Sequence, residues 1–320
     1  MLAEAAAAME IDCVLVDPVA DAPLAHGERV VTAFDDPLAI SVLSSCDAVT
    51  VELEGVPVEV LERLAGVTAV WPPPGAVAVS QDRLAEKDHF TAVAIPTAPY
   101  TDSKQAPRRA SAEVIVKSRR GGYDGRGQIR VAEGGDVGAA IRALDRPAIV
   151  EELVPFDREL SIVAARATDG AMAFYPLVEN HHSEGILRTT IAPAPDVDVS
   201  LQALAERHVT VLAESLDYVG VLALELFQVG DRLLANEMAP RVHNSGHWTI
   251  EGAATSQFTQ HLLAITGQPL GPCDLLGVAT MVNLIGELPE PMPSGPGVFV
   301  HLYGKAPRPG RKLGHITTLG

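Results

Sequence analysis

A glycine-rich segment between two strand-like runs constrains the fold of this chain more than any other feature. Residues 117–128 carry four glycines and four basic side chains. Glycines let backbone N–H groups approach phosphate oxygens closely, and a lysine at a strand end neutralises them. The segment lacks GKS/T, and it leads into a strand where GxGxxG would lead into a helix. Lys117 at the strand end therefore favours a phosphate-covering flap over the alternative, a mobile hairpin with solvated charges.

Upstream of this segment, short apolar runs alternate with helical patterns. Such alternation predicts a small α/β layer with a parallel sheet. A doubly wound domain normally opens with a strand and a glycine turn, whereas this sequence opens with a helical pattern. We therefore predict an N-terminal α/β domain over residues 1–82 that lacks its first strand. Its predicted elements are helices at 2–9 and 57–64 and strands at 11–16, 48–51 and 67–70.

A second region follows the proline run at 72–74. One helix is predicted from residue 77 to about residue 90, and the domain boundary is placed within it, near Asp82. The chain is predicted to be an α/β and α+β protein with a central domain at 83–268 and a β-rich segment at 269–320. Further strands are predicted at 114–117, 128–131, 148–151 and 160–165, and helices at 201–216 and 255–266.

The charge of the chain excludes several classes of partner. Among 320 residues the formal net charge is −17, which disfavours non-specific binding to nucleic acid or to anionic lipid. No apolar run reaches the roughly 20 residues that cross a bilayer. The start has no basic leader, and the three cysteines are far apart in apolar surroundings. We therefore expect a cytoplasmic protein without a membrane or nucleic-acid partner.

Two glutamates mark a possible metal site in a predicted hairpin. Glu225 and Glu237 lie in apolar strands on either side of residues 230–232. If the loop has three residues, the two carboxylates are cross-strand neighbours on one face and need a cation between them. Hard oxygen ligands with room for phosphates suit Mg²⁺. If the loop has two residues, the carboxylates face opposite ways and there is no site.

A run of polar side chains follows Glu237 directly. Arg241, His243, Asn244 and Ser245 supply donors within five residues, and His247 follows them. Such a turn can surround a small oxyanion, with the arginine binding in bidentate fashion. The alternative is a capped loop that only begins the next helix. The position beside a candidate metal ligand favours the binding site.

Two further segments carry weaker signals. The acidic strand end at 151–159 offers backbone groups for an adenine edge and a carboxylate for a ribose, although such strand ends are often only solvated turns. The tail at 303–312 is a basic island in an acidic chain and holds two of its five lysines. Such focusing suits a phosphate monoester, and a solvated terminus is the alternative.

Together these motifs resemble an ATP-grasp family, 5-(carboxyamino)imidazole ribonucleotide synthetase, the carboxylating ligase of microbial purine synthesis. The resemblance spans nearly the whole chain, and HNSGHWT at 243–249 is particularly specific. It implies a pre-ATP-grasp domain, an ATP-grasp domain with a glycine-rich lid and a C-terminal segment. The matching stretches are RRGGYDGRGQ at 119–128, EELVPFDRELS at 151–161, YPLVENHHSEGIL at 175–187, NEMAPRVHNSGHWTIEGAATSQFTQH at 236–261 and YGKAPRPGRKLGH at 303–315.

The resemblance also implies roles for individual residues, a Mg²⁺ cofactor and a homodimer. Glu225 and Glu237 match the magnesium ligands, and Asp124 is the candidate for proton handling at the amine. The residues that match the ATP site are Arg83, Lys117, Gly122, Tyr123, Asp124, Gly125, Arg126, Gly127, Gln128, Glu151, Glu152, Leu153, Val154, Glu159, His182, Asn236 and Glu237. Bicarbonate and aminoimidazole ribonucleotide are expected to meet at Tyr123, Asp124, Arg241, His243, Asn244 and Ser245, and the phosphate of the ribonucleotide is expected at Lys305, Arg311 and Lys312.

The expected activity is ATP-dependent carboxylation of aminoimidazole ribonucleotide with bicarbonate through carboxyphosphate. One rival is another ATP-grasp ligase, such as a formate-using glycinamide ribonucleotide transformylase, which shares the magnesium glutamates but not HNSGHWT with the basic tail. A second rival is a nucleotide-binding regulatory protein without turnover. A nicotinamide dehydrogenase is set aside because its glycine fingerprint is missing.

Overall fold

The computed structural model describes residues 1–20, 22–122 and 127–320. In these ranges, helices flank two small parallel sheets, one four-stranded sheet and one nine-stranded sheet. The helices are α1 (Leu2–Ala8), α2 (Pro37–Leu43), α3 (Val58–Ala65), α4 (Pro74–Ser80), α5 (Arg83–Ala92), α6 (Val137–Leu144), α7 (Val199–Ser215), α8 (Thr249–Gly252) and α9 (Gln257–Ile265). The strands are β1 (Val14–Asp17), β2 (Glu28–Val31), β3 (Ala48–Val49), β4 (Ala69–Val70), β5 (Tyr100–Asp102), β6 (Val114–Ser118), β7 (Gln128–Val131), β8 (Ala148–Glu152), β9 (Arg158–Arg166), β10 (Met172–Phe174), β11 (Val178–Ser183), β12 (Ile186–Ala192), β13 (Gly220–Val229), β14 (Arg232–Ala239), β15 (Ala279–Ile285), β16 (Val298–Leu302) and β17 (Lys312–Leu319).

The N-terminal region has the predicted parallel α/β pattern. β1 pairs with β2 and β3 pairs with β4, both in parallel, as two separate two-stranded sheets. The single helix predicted from residue 77 to about 90 is wrong, because α4 ends at Ser80 and α5 begins at Arg83. Asp82 adopts an extended backbone between them, and its carboxylate accepts the Leu84 N–H. An N-cap of this kind begins a new helix and so breaks the apparent continuity of the pattern.

The strands on both sides of the glycine segment belong to a four-stranded sheet of order β5-β8-β6-β7. The strands predicted on both sides of the flap are confirmed as β6 and β7, which pair antiparallel, and Lys117 pairs with Gln128 at their end. The acidic strand β8 lies on the other side of β6. Ser118 pairs with Ala148 and Val114 pairs with Glu152, so the glycine segment and the acidic end of β8 lie at opposite ends of this antiparallel pair.

The nine-stranded sheet has the order β14-β13-β9-β11-β12-β15-β17-β16, with β10 on β9. Side chains of β9 and β13 alternate between two buried cores, as expected for a sheet covered on both faces. α7 packs on one face, and α1 and α9 on the other. Strands from the C-terminal segment thus extend the sheet that carries Glu225 and Glu237.

Candidate functional site

The hairpin of β13 and β14 differs in one respect from its predicted geometry. Val229 pairs with Arg232, so the loop has two residues and the three-residue loop considered above is wrong. In a regular ladder this shorter loop would place Glu225 and Glu237 on opposite faces, because side chains alternate along a strand.

A β-bulge places the two carboxylates on the same face of the hairpin, which the two-residue loop alone would not do. The ladder shifts by one residue beside Glu225, so Asn236 and Glu237 both lie opposite this single residue. A bulge of this kind re-aims a side chain, and bulges are frequent beside active sites. The two carboxylates therefore share one side of the hairpin.

The carboxyl group of Glu225 is held where its charge is unfavourable. The side chain is only 13% exposed, and His243 Nε2 lies 3.3 Å from its Oε1 atom. Burial, and then the charge of Glu237, raises the pKa of Glu225 to about 8. A cation between the two carboxylates would offset this repulsion.

The donor set fits Mg²⁺ held jointly with a nucleotide. Within the described residues, no group of three or more His, Cys, Asp or Glu side chains is arranged to hold a metal. Mg²⁺ is usually bound by one or two carboxylates, with phosphate and water oxygens completing its octahedron. Glu225 and Glu237 supply such a pair of hard oxygen ligands.

Lys117 on β6 and Glu151 on the neighbouring antiparallel strand β8 form a partly buried ion pair. Lys117 Nζ lies 2.9 Å from Glu151 Oε2, and Lys87 Nζ lies 3.8 Å from the same oxygen. Burial alone would raise the pKa of Glu151, but the two lysines more than offset it and the pKa is lowered. Glu151 is therefore an ionised acceptor, and Lys117 is a cation beside the flap.

The rest of the acidic strand end is partly engaged within the protein. The Glu152 N–H donates to Pro99 O and the Leu153 N–H donates to Glu113 O, both at 2.9 Å. These two N–H groups are thus not free for an adenine edge, and Val154 follows them half-buried.

Arg83 connects the base of the glycine segment to the carboxylate pair. Its guanidinium donates to Ser118 O at 3.4 Å and to Gly122 O at 3.2 Å. The same group lies 3.5 Å from Glu237 Oε2. A cation at this position can contact phosphate oxygens that approach Glu225 and Glu237.

The glycine segment is described only at its two ends. Ser118 N–H donates to Gly127 O at 2.8 Å, and Gly127 has φ +72°, a left-handed conformation that favours glycine. Gln128 begins β7. The predicted site residues Tyr123, Asp124, Gly125 and Arg126 lie outside the described residues.

Glu159 and His182 lie together beside the carboxylate pair. His182 Nδ1 is 2.5 Å from Glu159 Oε2. Burial lowers the pKa of His182, but Glu159 and then Glu225 more than offset this effect, and the pKa is raised. His182 therefore lies next to Glu225, where its ring can contact a phosphate or a ribose.

The polar turn is the segment 241–247. Within it, His243 caps the short 3-10 helix Asn244–Gly246. His243 Nδ1 accepts from the Ser245 N–H at 3.3 Å and lies 2.9 Å from Ser245 Oγ. Burial, and then Arg241 and Lys312, holds the pKa of His243 well below its ordinary value. Ser245 is fully buried, so it reaches a ligand only through His243.

Arg241 and Asn244 complete the turn. Arg241 Nη2 lies 2.6 Å from Glu54 Oε1, which joins the turn to the N-terminal region. Over the described part of the chain, the Oδ1 atom of Asn244 and the Nε atom of Arg241 are buried without a hydrogen-bond partner. Unpaired buried polar atoms are rare in folded proteins, and these two are available to a bound ligand.

The three basic residues of the tail differ in their surroundings. Lys312 begins β17 and its charge acts on His243, His247 and His315, so it belongs to the polar turn. Arg311 donates to Ala306 O at 3.4 Å, and Lys305 Nζ lies 5.7 Å from the ring centre of Tyr303. Of the three residues, Lys312 therefore lies next to the candidate oxyanion site.

Two charged residues of this region escaped the sequence prediction. Lys87 is 1% exposed and donates to Ala235 O at 3.2 Å, and Glu86 is 2% exposed and accepts the Met238 N–H at 2.7 Å. They hold β14 on either side of its bulge. The sequence feature that could have identified them is their position one turn before Phe90 in α5. They lie on the apolar side of this helix, where charged residues are unusual.

The longest described helix, α7, has 17 residues, and none of the described helices is both long and apolar enough to cross a membrane.

Comparison with known families covers nearly the whole chain. Residues 88–258 match the ATP-grasp domain family. Residues 1–81 match the ribonucleotide synthetase preATP-grasp domain, and residues 279–320 match the phosphoribosylaminoimidazole carboxylase C-terminal domain. The three parts of the expected fold class are thus confirmed.

Similar proteins carry one name. The N5-carboxyaminoimidazole ribonucleotide synthase of Brucella melitensis is 43% identical over 336 aligned positions, covering 100% of this chain and 92% of its own. The crystal structure of the synthetase from Thermus thermophilus is 44% identical with a TM-score of 0.89, covering 100% of this chain and 90% of its own. An Aspergillus clavatus synthase, solved with ADP and 5-aminoimidazole ribonucleotide, is 30% identical with a TM-score of 0.88 and the same coverages. The chain therefore belongs to the N5-carboxyaminoimidazole ribonucleotide synthase family of ATP-grasp ligases, which the sequence motifs had indicated.

Proposed function

We propose that this chain carboxylates the amine of 5-aminoimidazole ribonucleotide with bicarbonate. The reaction consumes ATP and gives 5-(carboxyamino)imidazole ribonucleotide, ADP and phosphate, a step of de novo purine synthesis. The shared name of the relatives supports this activity. The ligands of the Aspergillus structure, ADP and 5-aminoimidazole ribonucleotide, support the choice of substrates.

One observation carries the proposal. The 3.3 Å contact between His243 Nε2 and Glu225 Oε1 joins the polar turn to the carboxylate pair. Groups suited to the terminal phosphate of ATP therefore meet groups suited to a small oxyanion at one point. An enzyme that phosphorylates bicarbonate needs this juxtaposition, because the two reactants must lie in contact.

The first step activates bicarbonate, which is a poor electrophile. One of its oxygens attacks the γ-phosphorus of ATP, the new O–P bond forms, and the bond to the ADP oxygen breaks, which gives carboxyphosphate. Lys117 and Arg83 are proposed to stabilise the phosphate oxygens, and Arg241 and Asn244 to hold bicarbonate. Mg²⁺, held by Glu225 and Glu237, would offset the charge that spreads over the phosphate oxygens.

The second step joins carbon to nitrogen. The amine attacks the carboxyl carbon of carboxyphosphate and expels phosphate, or it attacks CO₂ after carboxyphosphate has broken down to CO₂ and phosphate in the closed site. The glycine segment is proposed as a lid that excludes water from this intermediate. We propose that Asp124 takes the proton of the amine and that Lys305, Arg311 and Lys312 bind the phosphate of the ribonucleotide. Full coupled activity in Asp124→Asn would remove that role.

Release of inorganic phosphate distinguishes the proposal from its rivals. Bicarbonate together with 5-aminoimidazole ribonucleotide should stimulate ATP-dependent phosphate release, whereas formate with glycinamide ribonucleotide should not. Stimulation by the second pair alone would favour the transformylase. Binding of ATP without turnover in either mixture would favour the regulatory protein.

Three further properties are proposed on indirect grounds. A homodimer rests on the family resemblance, and light scattering of the purified protein tests it. A cytoplasmic location rests on the free thiols Cys13, Cys46 and Cys273. Domain boundaries at 1–82, 83–268 and 269–320 rest on the sequence pattern, and limited proteolysis tests them.

A further inference from the structure

One ring nitrogen of His243, Nδ1, accepts a hydrogen bond from a backbone N–H group, which can act only as a donor. The backbone N–H of Ser245 points at Nδ1 at 3.3 Å, as the cap of the 3-10 helix. The opposite ring nitrogen, Nε2, lies 3.3 Å from Glu225 Oε1. In a neutral imidazole one nitrogen carries the proton and the other accepts, so the acceptor role of Nδ1 places the proton on Nε2.

Behind His243, a line of buried hydroxyl and amide groups crosses the sheet. Ser161 Oγ lies 2.8 Å from Ser245 Oγ, and Asn180 Nδ2 lies 2.8 Å from Ser161 Oγ. Thr190 Oγ1 lies 2.9 Å from Asn180 Oδ1. Ser161, Asn180, Thr190 and Ser245 are each at most 4% exposed, so the protein itself must satisfy their polar atoms.

The direction of the hydrogen bonds along this line follows from the fixed N–H donor at its His243 end. Thr190 donates to the oxygen of Asn180, whose NH₂ group donates to Ser161 Oγ. Ser161 then donates to Ser245 Oγ, which leaves the Ser245 hydroxyl to donate to His243 Nδ1. An Asn180 amide turned by 180° would reverse every bond and put a proton on Nδ1, against the fixed N–H of Ser245.

We propose that Thr190, Asn180, Ser161 and Ser245 are positioning residues that hold His243 with its proton on Nε2, facing Glu225 as a hydrogen-bond donor. In the proposed reaction, on which this consequence rests, His243 donates to an oxyanion beside Glu225 and does not accept a proton there. Ser245 acts through His243 and does not touch the substrate. The line assigns a role to Asn180 and Thr190, to which the sequence prediction had given none.

Nitrogen NMR of the ligand-free protein tests the tautomer directly. Protein labelled with ¹⁵N in its histidines gives ring-nitrogen shifts that distinguish a protonated nitrogen from a bare one, and the signals of His243 are those lost in His243→Gln. We expect a bare Nδ1 and a protonated Nε2 at neutral pH. A proton on Nδ1, or on both nitrogens, would overturn the proposal.

Asn180→Asp tests the buried line behind the ring. Burial raises the pKa of the new carboxyl group, and once ionised it can only accept, so the Ser161 hydroxyl turns towards it and Ser245 turns towards Ser161, which removes the hydroxyl donor from His243 Nδ1. We expect a larger population of the Nδ1–H tautomer and a kcat lower by about 10- to 100-fold, with an unchanged KM for ATP. A folded variant that keeps the original tautomer as the pH is raised through the pKa of the new carboxyl group would refute the positioning role.

Asn283→Asp is the matched control for this substitution. Asn283 is also buried, at 6% exposed, and its amide donates to Leu187 O outside the line. It should show the general cost of a buried carboxyl group while the His243 signals stay as in the original protein. The NMR result does not depend on turnover, so failure of the proposed function leaves the tautomer testable.

Discussion

The carboxyl group of Glu225 combines 13% exposure with a second carboxylate across the bulge. Glu225→Gln keeps the shape and removes the charge, so it should lower kcat by about 100-fold, because a metal ligand is lost. It should also raise the melting temperature of the ligand-free protein, because the cost of burying a carboxyl group beside Glu237 disappears. Steady-state phosphate release and thermal unfolding measure the two effects. Unchanged kcat would exclude Glu225 as a metal ligand.

The same substitution should change how stability depends on pH. Between the ordinary glutamate pKa of 4.5 and about 8, Glu225 binds a proton in the folded protein but not in the unfolded chain. The free energy of unfolding should therefore fall as pH rises through this window and level off above it. Glu225→Gln should flatten part of this slope. Glu113→Gln, at an exposed pair with Arg130, is the control and should leave both the slope and kcat unchanged.

At this scale the sequence indicated the residue types of the site but not how they come to face one another. The spacing of Glu225 and Glu237 was interpreted through loop length, whereas the bulge beside Glu225 decides their orientation. A bulge depends on contacts from outside the hairpin. Here those contacts come from Glu86 and Lys87, which lie about 150 positions earlier in the chain.

Among the elements, α5 supports β14 through buried hydrogen bonds. Glu86→Met should leave the Met238 N–H without its acceptor and lower the free energy of unfolding by about 1–3 kcal/mol. Glu86→Gln keeps an acceptor of the same length and should cost much less. Urea unfolding of the two variants measures the difference. Equal losses would show that the hydrogen bond to β14 is not what Glu86 contributes.

The 3-10 helix of the polar turn depends on close packing at Gly246. A Cβ atom there would lie 2.5 Å from Oε1 of Gln257, the buried side chain that accepts the His243 N–H and donates to His243 O. Gly246→Ala should therefore displace the turn, cost about 1–3 kcal/mol of stability and lower kcat. Gly55→Ala is the matched control, because a Cβ at Gly55 has no neighbour within 4 Å in the described structure. Similar kinetics for both variants would contradict this account.

Elements with a strong local pattern were predictable, and elements set by a cap or a distant contact were not. The helix predicted at 201–216 is confirmed as α7, because 17 residues of amphipathic sequence leave little ambiguity. The helix predicted across Asp82 was wrong, because the apolar pattern continues through the N-cap that separates α4 from α5. Periodicity alone does not show where one helix ends and another begins.

In the whole molecule, the nine-stranded sheet joins the regions that the sequence pattern separates. β17 lies between β15 and β16 and so carries Lys312 from the C-terminal segment to the polar turn. The ion pair of Glu54 with Arg241 joins the N-terminal region to the same turn. The sequence predicted three consecutive regions, but their meeting at His243 depends on pairings between distant strands, which local patterns do not encode.

A continuous sheet should unfold together with the nucleotide site. Because β15 and β17 extend the sheet that carries Glu225 and Glu237, the free energy gained from binding MgATP should stabilise both regions in one transition. At a MgATP concentration 100 times its Kd, the free energy of unfolding should rise by about 2.7 kcal/mol. Excess EDTA should remove most of this gain, because the two carboxylates then repel each other and the triphosphate. Calorimetry with and without MgATP checks the prediction, and two transitions of which only one shifts would show that the C-terminal strands are not coupled to the site.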